Sequence, residues 1–211
     1  MQAGGNEGFP ARIESKEHRL MSARAIIERE HRSLAAVLHG MLHLTREIRF
    51  AGTRPDFVLF DAMTHYIQAF SERLHHPKEE AYLFERVSAR CSEARPLLDR
   101  LKEEHVAGAV KFGELRGALE RYRRSDAAFG EFASQLSQYA AFHWAHMRAE
   151  EDELLPLAQA HLTREDWDAI DAAFADNVDP LEGVKSGARY QALFKRIVEL
   201  APSPMGLAPK R

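Results

Sequence analysis

The residues best suited to chemistry are histidines and the glutamates that follow some of them. The chain carries 11 histidines in 211 residues, and histidine is both the commonest metal ligand and the side chain that titrates near neutrality. Four places matter: His31; the pair His75 and His76 with Glu79 and Glu80; His105; and His146 with Glu150. In the second and fourth, each glutamate follows a histidine by four residues, so on a helix the two stack on one face. Imidazole nitrogens and carboxylate oxygens brought to one point suit iron, zinc, manganese or copper, and a carboxylate can bridge two ions. The same groups buried together without a cation would suffer desolvation and mutual repulsion.

Long helices are needed to aim these groups. Proline and glycine punctuate the chain into expected helices over 22–50, 55–90 with an interruption near Pro77, 92–123, and 125–161. Gly52 and Pro55 stand where the first should stop, Pro96 fits a first turn, and Ser125 and Asp126 open the fourth. Thr163 with Glu165 and Asp166 begins a shorter helix ending near Asn177, and 186–200 fits one more. No run shows the β-branched alternation of a strand. The expected fold is all-α: an up-down-up-down four-helix bundle with two shorter C-terminal helices packed outside it or at its end. This divides the chain into an N-terminal arm (1–21), a metal-binding bundle (22–161) and a C-terminal helical extension and tail (162–211).

Projected onto these helices, His31 falls in the stripe of Ile27, Leu34, Leu38 and Leu42, and His105 shares a side with Leu98, Leu101, Ala109, Phe112 and Leu119. His146 shares a face with Tyr139, Phe142, Glu150 and Leu157, while His76 lies nearer the stripe of Leu83 and Val87 than His75 does. Each piece alone fits a plainer role, as a hydrogen-bonded core histidine or a surface i,i+4 pair. Convergence of all four helices favours a metal site, with more ligands than a four-coordinate zinc needs. His143 reads as a residue behind His146 or partly exposed, His39 and His43 as boundary residues, and Glu151-Asp152-Glu153 as a solvated face. Tyr82, Tyr139, Phe142 and Trp144 read as core; His18, His65 and His161 fall at ends or off the faces.

Composition narrows the class. With 29 Lys plus Arg against 32 Asp plus Glu, the net charge of −3 gives no reason to expect nucleic acid or an anionic membrane as partner. A single cysteine, Cys91, excludes intrachain disulfides, cysteine-only zinc sites and cysteine-ligated iron–sulfur clusters. No apolar stretch has the length of a membrane span, and the opening MQAGGN lacks a secretion-signal layout, so the cytoplasm is the expected location.

The strings EREHR around His31, HHPKEEAYLF from His75, LKEEHVAG around His105 and HMRAEEDELLP from His146 together resemble the hemerythrin-like, HHE cation-binding domain of bacterial type, over roughly 22–160. The resemblance implies an oxygen-reactive, non-haem di-iron site, two ions per chain with carboxylate and oxo bridges, zinc or another divalent metal being a possible substitute. Carried over, the ligands are His31, His75, Glu79, His105, His146 and Glu150, with Glu79 and Glu150 bridging. In the family the glutamate stands six residues before a proline; Glu150 to Pro156 fits, and Glu79 to Glu85 keeps the register, which favours His75 with Glu79 over His76 with Glu80. Two departures count against simple reversible O₂ carriage: Ala109 stands where oxygen carriers have a second histidine on the third helix, and Glu150 where they have aspartate. His76 is the candidate for the missing nitrogen and stays in the ligand set. The implied function is to bind, sense or react with O₂, NO or peroxide, in a monomer or homodimer. The alternative is a di-iron enzyme for peroxide disproportionation, NO reduction or iron donation to damaged iron–sulfur centres, which shares the ligand set and is not ranked by sequence. Ferritin-like sites place the glutamate first at a spacing of three, and this chain has the reverse order at four.

Overall fold

Ser22 opens the first helix, α1 (Ala23–Ala51), by accepting the Ala25 N–H at 3.4 Å, and Gly52 closes it in the left-handed region at φ 65°. That conformation costs glycine nothing and lets its N–H reach the carbonyl of Glu47. The computed structural model describes residues 22–175 and 177; the expected arm over 1–21, the helix over 186–200 and the tail lie outside the described residues.

The second helix, α2 (57–90), starts where Asp56 accepts the Leu59 N–H at 3.0 Å. The expected interruption near Pro77 is replaced by continuous helix whose hydrogen-bond register changes. Ile67–His75 and Glu79–Phe84 are π-helical, on either side of the short α turn His76–Lys78. Proline has no N–H and its ring crowds the carbonyl four residues back. The N–H of His76 bonds the carbonyl of Ser71, five residues back, which widens the ladder just ahead of the ring. After a 3₁₀ turn (Ser92–Ala94) comes α3 (Arg95–Arg124), with Pro96 in its first turn. A second 3₁₀ turn (Asp126–Ala128) leads into α4 (129–161), which is π-helical over Glu150–Leu154. The shorter α5 (Arg164–Ala175) begins with a capping box: Asp166 accepts the Thr163 N–H at 3.0 Å and Thr163 Oγ1 accepts the Asp166 N–H at 3.3 Å.

The described residues contain no strand, and no helix among them is long and apolar enough to cross a membrane. The result is a helical bundle in which α3 packs along α4, α1 against α4 and α2, and α5 against α1 and the 79–84 part of α2. The interior divides into two apolar clusters. One runs from Leu34, Met41, Phe60 and Phe70 to Phe112, Phe132 and Tyr139; the other joins Ile27, Leu83, Phe84, Leu98, Leu101, Leu154, Ile170 and Phe174. Where the long helices pass from one cluster to the other stand His31, His75 and His76, His105, and His146.

Some expected core positions move. Ala109 is exposed and Gly108 is buried instead, because the buried face of α3 centres on Leu101, Phe112, Leu115 and Leu119, with His105 toward its edge. Leu157 is half-buried while Leu154 and Ala158 are fully buried, since the π turn at Glu150 shifts the facing register. Tyr82 is 39% exposed rather than core, and Phe142 and Trp144 are half-buried.

Candidate metal centre

All seven predicted residues meet in one buried layer. His31, His75, His76, Glu79, His105, His146 and Glu150 are each at most 6% exposed. They form two groups, His31 with His75, Glu79 and Glu150, and His76 with His105 and His146, the donor atoms of each lying within 4.8 Å of one another. The two glutamates span both groups. Glu79 turns Oε1 to His75 Nε2 at 3.3 Å and Oε2 to His105 Nε2 at 3.7 Å. Glu150 turns Oε2 to His31 Nε2 at 3.2 Å, and Oε1 to His146 Nε2 at 3.3 Å and His105 Nε2 at 3.7 Å.

The outer nitrogens decide what the inner ones can do. His75 Nδ1 lies 2.6 Å from Glu30, His105 Nδ1 2.7 Å from Glu80, His146 Nδ1 2.8 Å from Glu104, and His31 Nδ1 2.8 Å from Glu151. A carboxylate only accepts, so each Nδ1 carries its proton outward and each Nε2 is left to point inward. The braces form a circuit: α1 supplies one to α2, α2 to α3, α3 to α4, and α4 back to α1. This is the arrangement that holds the rings of metal-binding histidines and raises their basicity.

Inward, the polar atoms lack ordinary partners. His31 Nε2 and His75 Nε2 face each other at 3.2 Å, which for two neutral rings braced in this way sets lone pair against lone pair. His105 Nε2, His146 Nε2 and all four oxygens of Glu79 and Glu150 are buried without a hydrogen-bond partner. Such atoms are costly to bury, and they are the donor set that a pair of divalent cations would satisfy. The electrostatics agree. Burial works against charge on every ring, yet the carboxylates outweigh it: Glu150 and Glu151 raise His31, Glu79 and Glu30 hold His75 well above the ordinary value, and Glu150 and Glu79 raise His105. Burial likewise opposes charge on His146, but Glu150 and Glu104 bring it to about 9. Burial alone would raise Glu150, but His146, His105 and His31 hold it well below the carboxylate range. Without a cation, protons on the imidazoles stand in for the positive charge the layer demands. His76 is the contrary case, pushed well below the ordinary value by burial and by His105 and His75, so it stays a neutral donor.

His75 and His76, posed as alternatives in the sequence, both reach the layer, one in each group. Glu80 instead braces His105 from a side chain 40% exposed. His143 is buried rather than partly exposed, with neither nitrogen partnered; its ring lies 4.3 Å from Tyr139 and 6.1 Å from His76. Burial and the neighbouring His146 push it down to about 3. His39 and His43 are half-buried and His65 and His161 exposed, as expected, while His18 lies outside the described residues. Sequence reasoning misses Glu30 and Glu104, reads Glu80 as the partner of His76 rather than a brace for His105, and reads Glu151 as part of a solvated face. A signal exists: each is the chain neighbour of an inward-facing residue, Glu30 of His31, Glu80 of Glu79, Glu104 of His105 and Glu151 of Glu150.

A family model described as hemerythrin HHE cation binding domain matches residues 22–158. No curated protein and no solved structure matches the chain.

Proposed function

The chain belongs to the hemerythrin HHE cation-binding family, and on that premise we propose that it holds two iron ions per chain and uses them to bind, sense or react with O₂, NO or peroxide. His31 and His75 would hold the first ion and His76, His105 and His146 the second, with Glu79 and Glu150, whose oxygens face both groups, offering a carboxylate to each. Bound iron would supply the electrons and open coordination positions such small molecules need. The observation that carries the reading is the layer of inward Nε2 atoms and unpartnered carboxylate oxygens, each histidine but His76 braced by a carboxylate from behind.

The chain's own residues do the rest. The apolar clusters on either side keep bulk water from the layer, and burial of every donor restricts the ligand to something small. At most five of these residues would face either ion, so iron there would keep positions open for a small ligand. His76 takes the place of the second α3 histidine that Ala109 lacks. The braces run from α1 to α2, α2 to α3, α3 to α4 and α4 back to α1, and this succession supports an up-down-up-down arrangement.

The test is metal loading under anaerobic conditions. The purified chain should take up two ferrous ions, and His31→Ala or Glu150→Ala should lose one or both. Two ions retained by both variants would reject this ligand set. Zinc should bind the same donors, which supplies a redox-silent probe.

A further inference from the structure

The four braces are not equivalent. Glu80, Glu104 and Glu151 have side chains 40%, 26% and 40% exposed, whereas that of Glu30 is 1% exposed. Both oxygens of Glu30 are committed: Oε2 to His75 Nδ1 at 2.6 Å, and Oε1 to the amide Nδ2 of Asn177, which donates at 2.9 Å. Asn177 is buried two residues beyond α5 and comes from outside the matched region 22–158.

The same segment is tied down from the ligand-bearing turn of α2. Lys78, next to Glu79, donates from Nζ to the side-chain oxygen of Asn177 and, at 2.7 Å, to the carbonyl of Ala173 in the last turn of α5. A cation there also complements the helix C-terminus. Ile170 and Phe174 anchor α5 in the apolar cluster, and Asp171 accepts the Ala23 N–H of the first turn of α1 at 2.6 Å.

We propose that α5 and Asn177 form a latch on the His31–His75 half of the centre: docked, Asn177 holds Glu30, and Glu30 holds the His75 ring in its metal-binding pose. Asn177 is thus a positioning residue for one ion and not the other. Because coupling is reciprocal, an ion in that half tightens the docking of α5. The inference rests on the metal-binding reading, and its consequence is a route by which anything that displaces α5 loosens one ion selectively.

The experiment uses the full chain loaded with zinc and the variant Asn177→Asp, which keeps an oxygen for Lys78 but has no N–H for Glu30 and sets a second carboxylate against it. Zinc release to a chelator is followed together with amide hydrogen exchange across 164–175. In the wild-type chain, zinc should slow exchange in α5. In Asn177→Asp that slowing should vanish, and one of the two zinc ions should leave faster by roughly 10- to 100-fold, the other unchanged. A general weakening would accelerate both. Release of both ions at wild-type rates, or of both equally faster, overturns the latch, as does α5 exchange indifferent to zinc in the wild-type chain. A wild-type chain that takes up neither zinc nor iron fails at the earlier reading, and the two failures are told apart by that first loading step.

Discussion

An imidazole is best held for a cation when it commits one nitrogen to a hydrogen bond and leaves the other bare. Four rings here do so, each against a carboxylate from a neighbouring helix. Removing a brace should therefore weaken metal binding without touching a ligand. Glu104→Ala leaves His146 free to turn and should weaken the second ion by about 10- to 100-fold, while Glu104→Gln, which can still accept from Nδ1, should weaken it less. Competition with a chelator of known affinity measures both, and equal loss in the two variants would point to charge rather than orientation. His75→Ala and His76→Ala separate the halves: the first should release the ion shared with His31, the second the ion shared with His105 and His146. X-ray absorption at the metal edge would then report fewer nitrogen neighbours at one site in each case. Identical spectra for the two variants would refute the division.

The helices deliver these rings through local departures from α geometry. Glu79 and Glu150 each begin a π-helical stretch, and His75 ends another. Such stretches are rare and cluster at functional sites, and here they re-aim consecutive residues so that His75 and His76 both reach the layer. The ends of the elements are more ordinary and can be tested on their own. Nothing lies within 4 Å of where a Cβ would stand on Gly52, so Gly52→Ala should cost only the left-handed strain, about 1–2 kcal/mol, read by urea unfolding. At the start of α5, Asp166 accepts from Arg90 at 2.9 Å and from the Thr163 N–H at 3.0 Å, and these bonds hold its carboxyl below the usual value, the Arg90 bond being the larger cause. A carboxyl depressed in the folded chain contributes stability above its unfolded pKa, about 3.9, and loses it as pH falls through the folded value. The stability gap between wild type and Asp166→Asn should accordingly be full at neutral pH and close on acidification below pH 4. Trp167, half-buried beside it, is the reporter; a gap that widened in acid would reverse the assignment.

Across the whole molecule, a polar layer divides what would otherwise be one apolar core. Among the described residues the bundle has two hydrophobic clusters rather than one, and the layer between them contains unpartnered oxygens and nitrogens. A ligand that binds only the folded state stabilises it by mass action, about 2.7 kcal/mol per site at a free concentration a hundred times its dissociation constant. Zinc or ferrous iron should thus raise the melting temperature in a concentration-dependent way and a chelator should reverse it. A melting curve unmoved by either would mean that protons alone hold the layer together. The reach of the layer extends to α5, which lies beyond the matched region yet shares Ile170 and Phe174 with one of the clusters.

The helices, the stop at Gly52, the start at Thr163 and the inward set from His31 to Glu150 could be read from the chain, because each depends on neighbours within a turn or two and on a periodicity of 3.6 residues. That same assumption fails at the π turns, which is why a strict 3.6-residue period turns Leu157 inward and sets His75 against His76. The bracing carboxylates stand beside inward residues in the chain, but which histidine each one meets is decided only once separate helices lie side by side: Glu30 with His75, Glu80 with His105, Glu104 with His146 and Glu151 with His31. The contact of Asn177 with Glu30 joins residues 147 apart in the chain. Hydrogen bonds over such separations depend on packing distances, and no local pattern in a sequence encodes them.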